Sequence, residues 1–346
     1  MRNVEQHIAG HALVGEDLAL TPVDIFINDG IITAIEDNPK VPQIWIRPAF
    51  FNAHTHLGDT IAMDCGVSGD LADLVTPPYG LKHRLLAAAS RTDLVAGMRS
   101  SIEGMIAGGT AGCADFREGG EGGVTALQEA AVSLPFRSYV FGRDGGERIA
   151  EGLGISSVRD TVDAERQVRE AKLAGKKVAF HAGERDPDDV DAAIAFEPDL
   201  IIHATHATRK QLRECAERGI FIAVCPRSNW TLGVTSTGKF PPLSLMESLG
   251  CRLCLGTDNV MFVAPDMSSE LAFTSMVYRL SPKTLLKAAI RGSEIAGPSF
   301  FIRTGGRANL VTFDPRLSSL RFSRDQLTTF VKRAPFALIG KNVFNL

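Results

Sequence analysis

Two histidines stand two residues apart in the stretch FFNAHTHLGDT, residues 50–60, at the end of an apolar run. In an extended segment alternate side chains share a face with roots roughly 6 to 7 Å apart, so the imidazoles of His54 and His56 could grip one ion. Two ordinary hydrogen-bonded histidines at a strand end would show the same pattern. The chain holds eight histidines, and His181 in FHAGE and His203 in IIHATH also close short apolar runs, as does Asp258 in LGTDN. Cys251 and Cys254 form a CxxC, a spacing that can mean zinc or redox chemistry. Their setting reads as a strand, where positions three apart face opposite sides, and no second CxxC completes a site, so both are assigned to the core.

The elements that must position these groups alternate in type. β-rich runs are read at 44–51, 109–116, 136–142, 152–156, 176–183, 199–205, 219–226 and 251–258. Good helix formers lie between several of them, and the helical stretches before the second, fifth and seventh runs end in glycine, a sensible C-cap. Apolar, β-branched strands separated by helices predict an α/β fold with a parallel sheet, and eight such units predict a closed (β/α)8 barrel of the TIM type. A doubly wound open sheet is the alternative, but the turn after the first strand, AHTHLGD, is not a glycine-rich phosphate loop. The ends read differently. Residues 1–43 contain two short β runs split by Asp29-Gly30, a hairpin signal, and residues 305–346 also read as β. These two ends are expected to pair as one small β-sandwich beside a barrel spanning 44–304.

In such a barrel chemistry collects at the carboxyl ends of the strands. That rule brings His54, His56, His181, His203 and Asp258 to one mouth. Three imidazoles and a carboxylate suit a borderline divalent ion, zinc or Fe(II), with a position kept for water, and Glu184 would stand beside that water.

Composition narrows the partners. The 346 residues are 45% apolar and 22% charged, with a net charge of −3, ordinary values for a chain that can bury a large core. The near-neutral balance and lack of a long basic run argue against nucleic acid, and no apolar stretch approaches the ~20 residues needed to cross a bilayer. The N-terminus lacks a continuous apolar run of the secretory type, and six cysteines in so long a chain make no disulfide framework. A cytoplasmic protein acting on a small molecule is expected, with a homo-oligomer left open.

The pieces DGIITAI, PAFFNAHTHL, GGTAGCADF, FHAGE, IIHATH, CPRSNWTLG, LGTDN and GGRANLVTFD occur in this order over nearly the whole chain. In this the sequence resembles the amidohydrolase superfamily, in the one-metal branch that includes cytosine and guanine deaminases and triazine chlorohydrolases. The resemblance implies ligation of one divalent transition metal, zinc or Fe(II), by His54, His56, His181 and Asp258, a proton shuttle at Glu184, and a water- or substrate-orienting role for His203. It further implies a catalytic role for Asp258 as proton acceptor from water attacking a C–NH2 carbon of a purine, pyrimidine, pterin or nucleoside. Hydrolysis of a cyclic amide or loss of another leaving group is the alternative chemistry, and a non-catalytic scaffold the alternative class. The binuclear branch usually carries a lysine at the end of strand four, and GLGIS has none. The segment after the HxH departs from the tryptophan-rich stretch common in the branch's deaminases, which leaves the substrate open.

Three cations follow successive strands: Lys82 after the first, Arg117 after the second in DFREGGEGG, and Arg143 after the third in FGRDGG. They could gather an anionic group of the substrate or brace loops through salt bridges. Arg117 and Glu118 are expected exposed at the mouth, ahead of a flexible glycine-rich loop, with Glu118 and Asp144 the partners if the cations form salt bridges instead. Ser228 and Asn229 match a family motif at the end of strand seven and are taken as substrate contacts; alone they would read as a turn after Pro226. His206 reads equally as a hydrogen-bonding neighbour or a participant.

Overall fold

The computed structural model describes residues 5–65, 71–75, 79–333 and 341–344. The chain opens with an antiparallel meander, β1 (Glu5–Val14), β2 (Ala19–Asn28) and β3 (Ile31–Asp37). The β2–β3 turn falls at Asp29 and Gly30, whose φ angles of 48° and 77° give the turn geometry that matches strand twist. A short β4 (Trp45–Pro48) then runs parallel to β1.

Next come β5 (Phe50–His56), β6 (Thr110–Arg117), β7 (Arg137–Gly142), β8 (Gly152–Ile155), β9 (Lys177–Ala182), β10 (Leu200–His203), β11 (Phe221–Val224), β12 (Arg252–Leu255) and β13 (Asp258–Asn259). These make a nine-stranded sheet in the order β12-β11-β10-β9-β8-β7-β6-β5-β13, with every pairing parallel. β6, β10 and β11 are buried along their whole length. That burial is what their continuous apolar runs foretold for strands covered on both faces. Helices follow most strands and carry the capping signals of their sequence: Ser90 accepts from the Asp93 N–H ahead of Arg91–Ala107, and Thr208 and Gln211 form a capping box ahead of Arg209–Glu217.

β14 (Leu310–Phe313) and β15 (Lys341–Val343) return to the first sheet, giving the order β15-β14-β4-β1-β2-β3. Among the described residues these strands form one six-stranded sheet, with Val23, Ile25, Ile32, Ile46, Ile302 and Leu310 in its core. Of residues 328–344, read from sequence as β, 328–332 lie instead in the helix Gln326–Lys332, started by the Asp325 carboxylate accepting from the Leu327 N–H, and 334–340 lie outside the described residues. Its Phe330 packs on Trp45 and Phe313, so burial of an apolar face outweighs β propensity there. Cys251 and Cys254 are free and buried, as assigned.

The first predicted strand, 44–51, is divided between the two sheets. Pro48 brings no N–H to either ladder, the Ala49 N–H bonds to the Asn309 carbonyl of the terminal sheet, and the Phe50 N–H bonds to Gly109 ahead of β6. The switch of partners at consecutive residues ends one strand and begins the next. In consequence His54 and His56 lie within β5 rather than beyond it.

The parallel sheet curls until its last segment meets its first. β12 pairs with β11 and β13 pairs with β5, and between them Gly256 donates to the Val224 carbonyl while Thr257 donates to the His54 carbonyl, each at 3.0 Å. A Cβ at Gly256 would lie 2.8 Å from both the backbone nitrogen and the Cβ of His54. Glycine is therefore the residue that lets these backbones approach. Gly256→Ala should destabilise the fold by about 1 to 3 kcal/mol through overpacking at this seam. Thermal and denaturant unfolding check this, and wild-type stability would show that the seam can relax around a methyl group.

Candidate metal centre and catalytic site

The site is built from strands that are distant in sequence and adjacent in space. His54 and His56 share one face of β5 by alternation, His181 lies near the end of β9, His203 closes β10 and Asp258 opens β13. His203 and Asp258 have φ angles of 73° and 61°, in the left-handed region that non-glycine residues rarely occupy. Such backbone costs about 1 to 3 kcal/mol per residue and persists where the surrounding structure over-determines it. Here both strained residues carry side chains of the same cluster.

The distances are short throughout. His54 Nε2 lies 3.2 Å from Asp258 Oδ1 and 3.3 Å from His181 Nε2. His56 Nε2 is 3.5 Å from the same Asp258 oxygen. The nitrogens of His54, His56 and His181 lie within 4.8 Å of one another, as do ligand atoms of His54, His203 and Asp258. His203 Nε2 stands 3.6 Å from Glu184 Oε1.

Hydrogen bonds on the far side of two rings test whether a cation fits. His56 Nδ1 donates to the Phe116 carbonyl and His181 Nδ1 to the Ile155 carbonyl, both at 3.1 Å. A carbonyl only accepts, so in the neutral rings both Nε2 atoms carry lone pairs. Two imidazole lone pairs and a carboxylate oxygen thus converge with His54 Nε2 on one buried point. His54 Nε2 is within hydrogen-bond reach of both Asp258 and His181, and the donors of this set are those of a zinc site.

Electrostatics favour the ligand forms. Burial pushes His54 down to about 4, and burial together with the Lys82 charge pushes His56 down to about 3. Burial also holds His181 well below the usual histidine range, so all three rings are neutral near pH 7. For Asp258 burial acts upward, but the His54 hydrogen bond and the surrounding imidazoles outweigh it and keep the carboxyl well below its usual range. The Ser228 hydroxyl donates to its second oxygen at 2.6 Å. Glu184 is raised by burial, only partly opposed by His203. A carboxyl that holds its proton more readily than usual is suited to giving and taking one.

Several expected contacts turn out to be supports. Arg117 is 2% exposed and paired with Glu118 Oε2 at 2.6 Å and Asp115 Oδ1 at 3.5 Å, so it does not reach the mouth. Residues after it do not form a loose loop but enter the helix Gly120–Ala131. Lys82 lines the cavity, yet its ammonium is taken by Asp59 at 3.0 Å and Glu118 at 2.9 Å. Ser228 and Asn229 are fully buried; the first orients Asp258, and the second donates to Thr205 Oγ1 at 2.9 Å. His206 packs on Phe240 with centroids 5.1 Å apart. Arg143 alone of the three cations faces the cavity without a counter-ion among the described residues.

Glu118, expected from the sequence to be exposed at the mouth or to pair with a cation, is buried, and its place beside His56 was not foreseen. Its Oε1 lies 2.9 Å from His56 Nδ1, beside the Phe116 carbonyl, and Lys82 and Arg117 hold its carboxyl well below its usual range despite burial. The carboxylate therefore helps fix the tautomer and tilt of His56. Its only sequence signal was a carboxylate just past a strand end.

A curled parallel sheet with a buried three-histidine, one-carboxylate cluster at its carboxyl ends defines the class of metal-dependent hydrolases. The comparisons narrow it. Residues 142–304 match the family described as Adenosine deaminase. An archaeal protein of Methanothermobacter thermautotrophicus, named "Putative aminohydrolase", is 33% identical over 359 aligned positions, covering 89% of this chain and 92% of its own. A second of that name from Archaeoglobus fulgidus is 35% identical over 92% of both chains. The zinc-bound adenosine deaminase from Xanthomonas campestris shares the fold, with a TM-score of 0.79, 18% identity, and coverage of 98% of this chain and 93% of its own. The chain belongs to the amidohydrolase superfamily, in the family of these aminohydrolases.

Purified protein should carry close to one zinc per chain, and replacing both His54 and His56 by alanine should abolish it. Elemental analysis decides, and a stoichiometry near two would contradict a single centre. Glu118→Gln should keep the fold but weaken metal affinity about tenfold, the scale of lost ligand-orienting hydrogen bonds, in competition titrations with a chelator.

Proposed function

We propose that the protein is a hydrolytic deaminase of an amino-substituted nitrogen heterocycle, with water replacing an exocyclic amino group and ammonia leaving. The observation that carries this reading is the clustering of His54, His56 and His181 and, sharing His54, of His54, His203 and Asp258, with Glu184 lining the same cavity. In this reading the curled sheet closes as a (β/α)8 barrel over residues 44–304, and segments 1–43 and 305–346 make a small β-sandwich. The free cysteines suit a reducing cytoplasm.

The three histidines and Asp258 would hold a divalent ion, which when bound lowers the pKa of water from 15.7 towards ~7. Asp258 then takes the proton as the water oxygen attacks the sp2 carbon bearing the amino group. Glu184 delivers a proton to the adjacent ring nitrogen and assists protonation of the departing amine. His203, buried and 3.6 Å from Glu184, is placed to donate to the developing oxygen. No helix among the described residues is long and apolar enough to cross a membrane, and the reading requires only a small-molecule partner.

A panel of aminopurines, aminopyrimidines and pterins assayed for ammonia should contain a substrate. Glu184→Gln should retain the metal and lose roughly 10²- to 10⁴-fold in kcat, the usual contribution of a positioned proton donor. Loss of the metal in that variant would make Glu184 a ligand and overturn its assignment.

A further inference from the structure

Arg143 sits where two cavities meet. It follows β7, and its carbonyl accepts from Gly146 across a turn at Asp144 and Gly145 with φ of 57° and 95°, which fixes the base of the side chain. The catalytic cavity is small, about 80 Å³, and Arg143 lines it together with His181, Glu184 and Asp258. A larger groove of about 900 Å³ adjoins it and shares Arg143, Ser156 and Asp160 as lining. The guanidinium carbon lies 5.9 Å from the centre of the Phe116 ring, which also packs against His54, His56, His181 and Phe141. One aromatic ring thus separates it from the metal ligands.

The residue is 8% exposed, and its Nε and Nη2 have no hydrogen-bond partner among the described residues. No carboxylate among the described residues lies within ion-pair distance of it, whereas Lys82 and Arg117 are fully paired. An unpaired buried guanidinium is costly for the protein alone, because desolvation is not offset by a counter-charge. Its planar fork matches a carboxylate or phosphate in two-point contact.

We infer that Arg143 is a specificity-determining residue that binds an anionic group of the substrate, so the true substrate is an amino-heterocycle bearing a carboxylate or phosphate on a substituent that extends from the catalytic cavity into the adjoining groove. This rests on the deaminase reading for the ring and on Arg143 alone for the anion. Arg185, exposed, also lines the catalytic cavity, beside the carboxylates of Asp160 and Asp189.

The test uses the metal-loaded protein and matched pairs: adenosine with adenosine-5′-carboxylate, and pterin with pterin-6-carboxylate. Wild type should favour the anionic member of a productive pair in kcat/KM by roughly ten- to a hundredfold, the scale of a charge-assisted contact in a partly dry site. In Arg143→Met that ratio should fall to near one while metal content stays the same. Without ligand, Arg143→Met should melt no lower than wild type, since it removes an uncompensated buried charge; a clear drop would assign Arg143 a structural role and overturn the inference. An unchanged ratio in the variant would also overturn it. If neither pair releases ammonia, the deaminase reading fails on these rings and calorimetric titration with benzoate and with inorganic phosphate decides the anion question. Weaker binding by Arg143→Met than by wild type supports the inference and shows which anion is preferred, and equal binding removes it.

Discussion

The seam between β5 and the segment 256–259 is the constraint on which the site depends. Asn52 donates to Thr257 Oγ1 at 2.7 Å and accepts from the Thr257 N–H at 3.0 Å, while Thr257 also donates its side of the ladder to the His54 carbonyl. The Thr257 N–H is thus shared between two acceptors, and the two segments are tied by backbone and side chain at once. These bonds place His54 and Asp258, 204 residues apart in sequence, at 3.2 Å. A slip of one residue in this pairing would turn His54 and His56 to the opposite face of the sheet. The metal ligands are therefore only as well placed as this register.

Around that point the protein separates neutral from charged groups. The rings of His54, His56 and His181 are kept neutral chiefly by burial, which is the form that binds a cation. One layer out, Lys82, Arg117, Glu118, Asp115 and Asp59 form a nearly dry network of opposite charges. Asp59 is raised to about 7 there, chiefly by burial, with Lys82 pulling the other way. Removing one member of such a network leaves the others unpaired, which is why it resists piecemeal change. Its reward is geometric: Glu118 and the Phe116 carbonyl together hold the outer nitrogen of His56.

The same network explains why three similar-looking cations diverge in role. From the chain alone Lys82, Arg117 and Arg143 each follow a strand and each could meet a substrate. Which of them keeps a free guanidinium or ammonium depends on where Glu118 and Asp59 point, and side-chain direction at a strand end is set by local backbone and packing. Ser228 shows the same limit. A hydroxyl after a strand reads as a substrate contact, but a helix starting at Pro226 turns it inward onto Asp258.

The sequence by itself determined the alternation of strands and helices, the hairpin at Asp29-Gly30, and the histidines and the aspartate that gather where strands end. All of these rest on local signals: apolar runs, capping and turn residues, and polar residues placed at the ends of apolar runs. Even the division of the first strand had its mark in Pro48, although reading it needed the partners on either side. Only the tertiary structure decided that Glu118 braces His56, that residues 326–332 are helical, and that Arg143 alone of the three cations faces the cavity unpaired among the described residues. Those outcomes depend on contacts between segments distant in the chain, where burial and charge pairing override what any single stretch prefers.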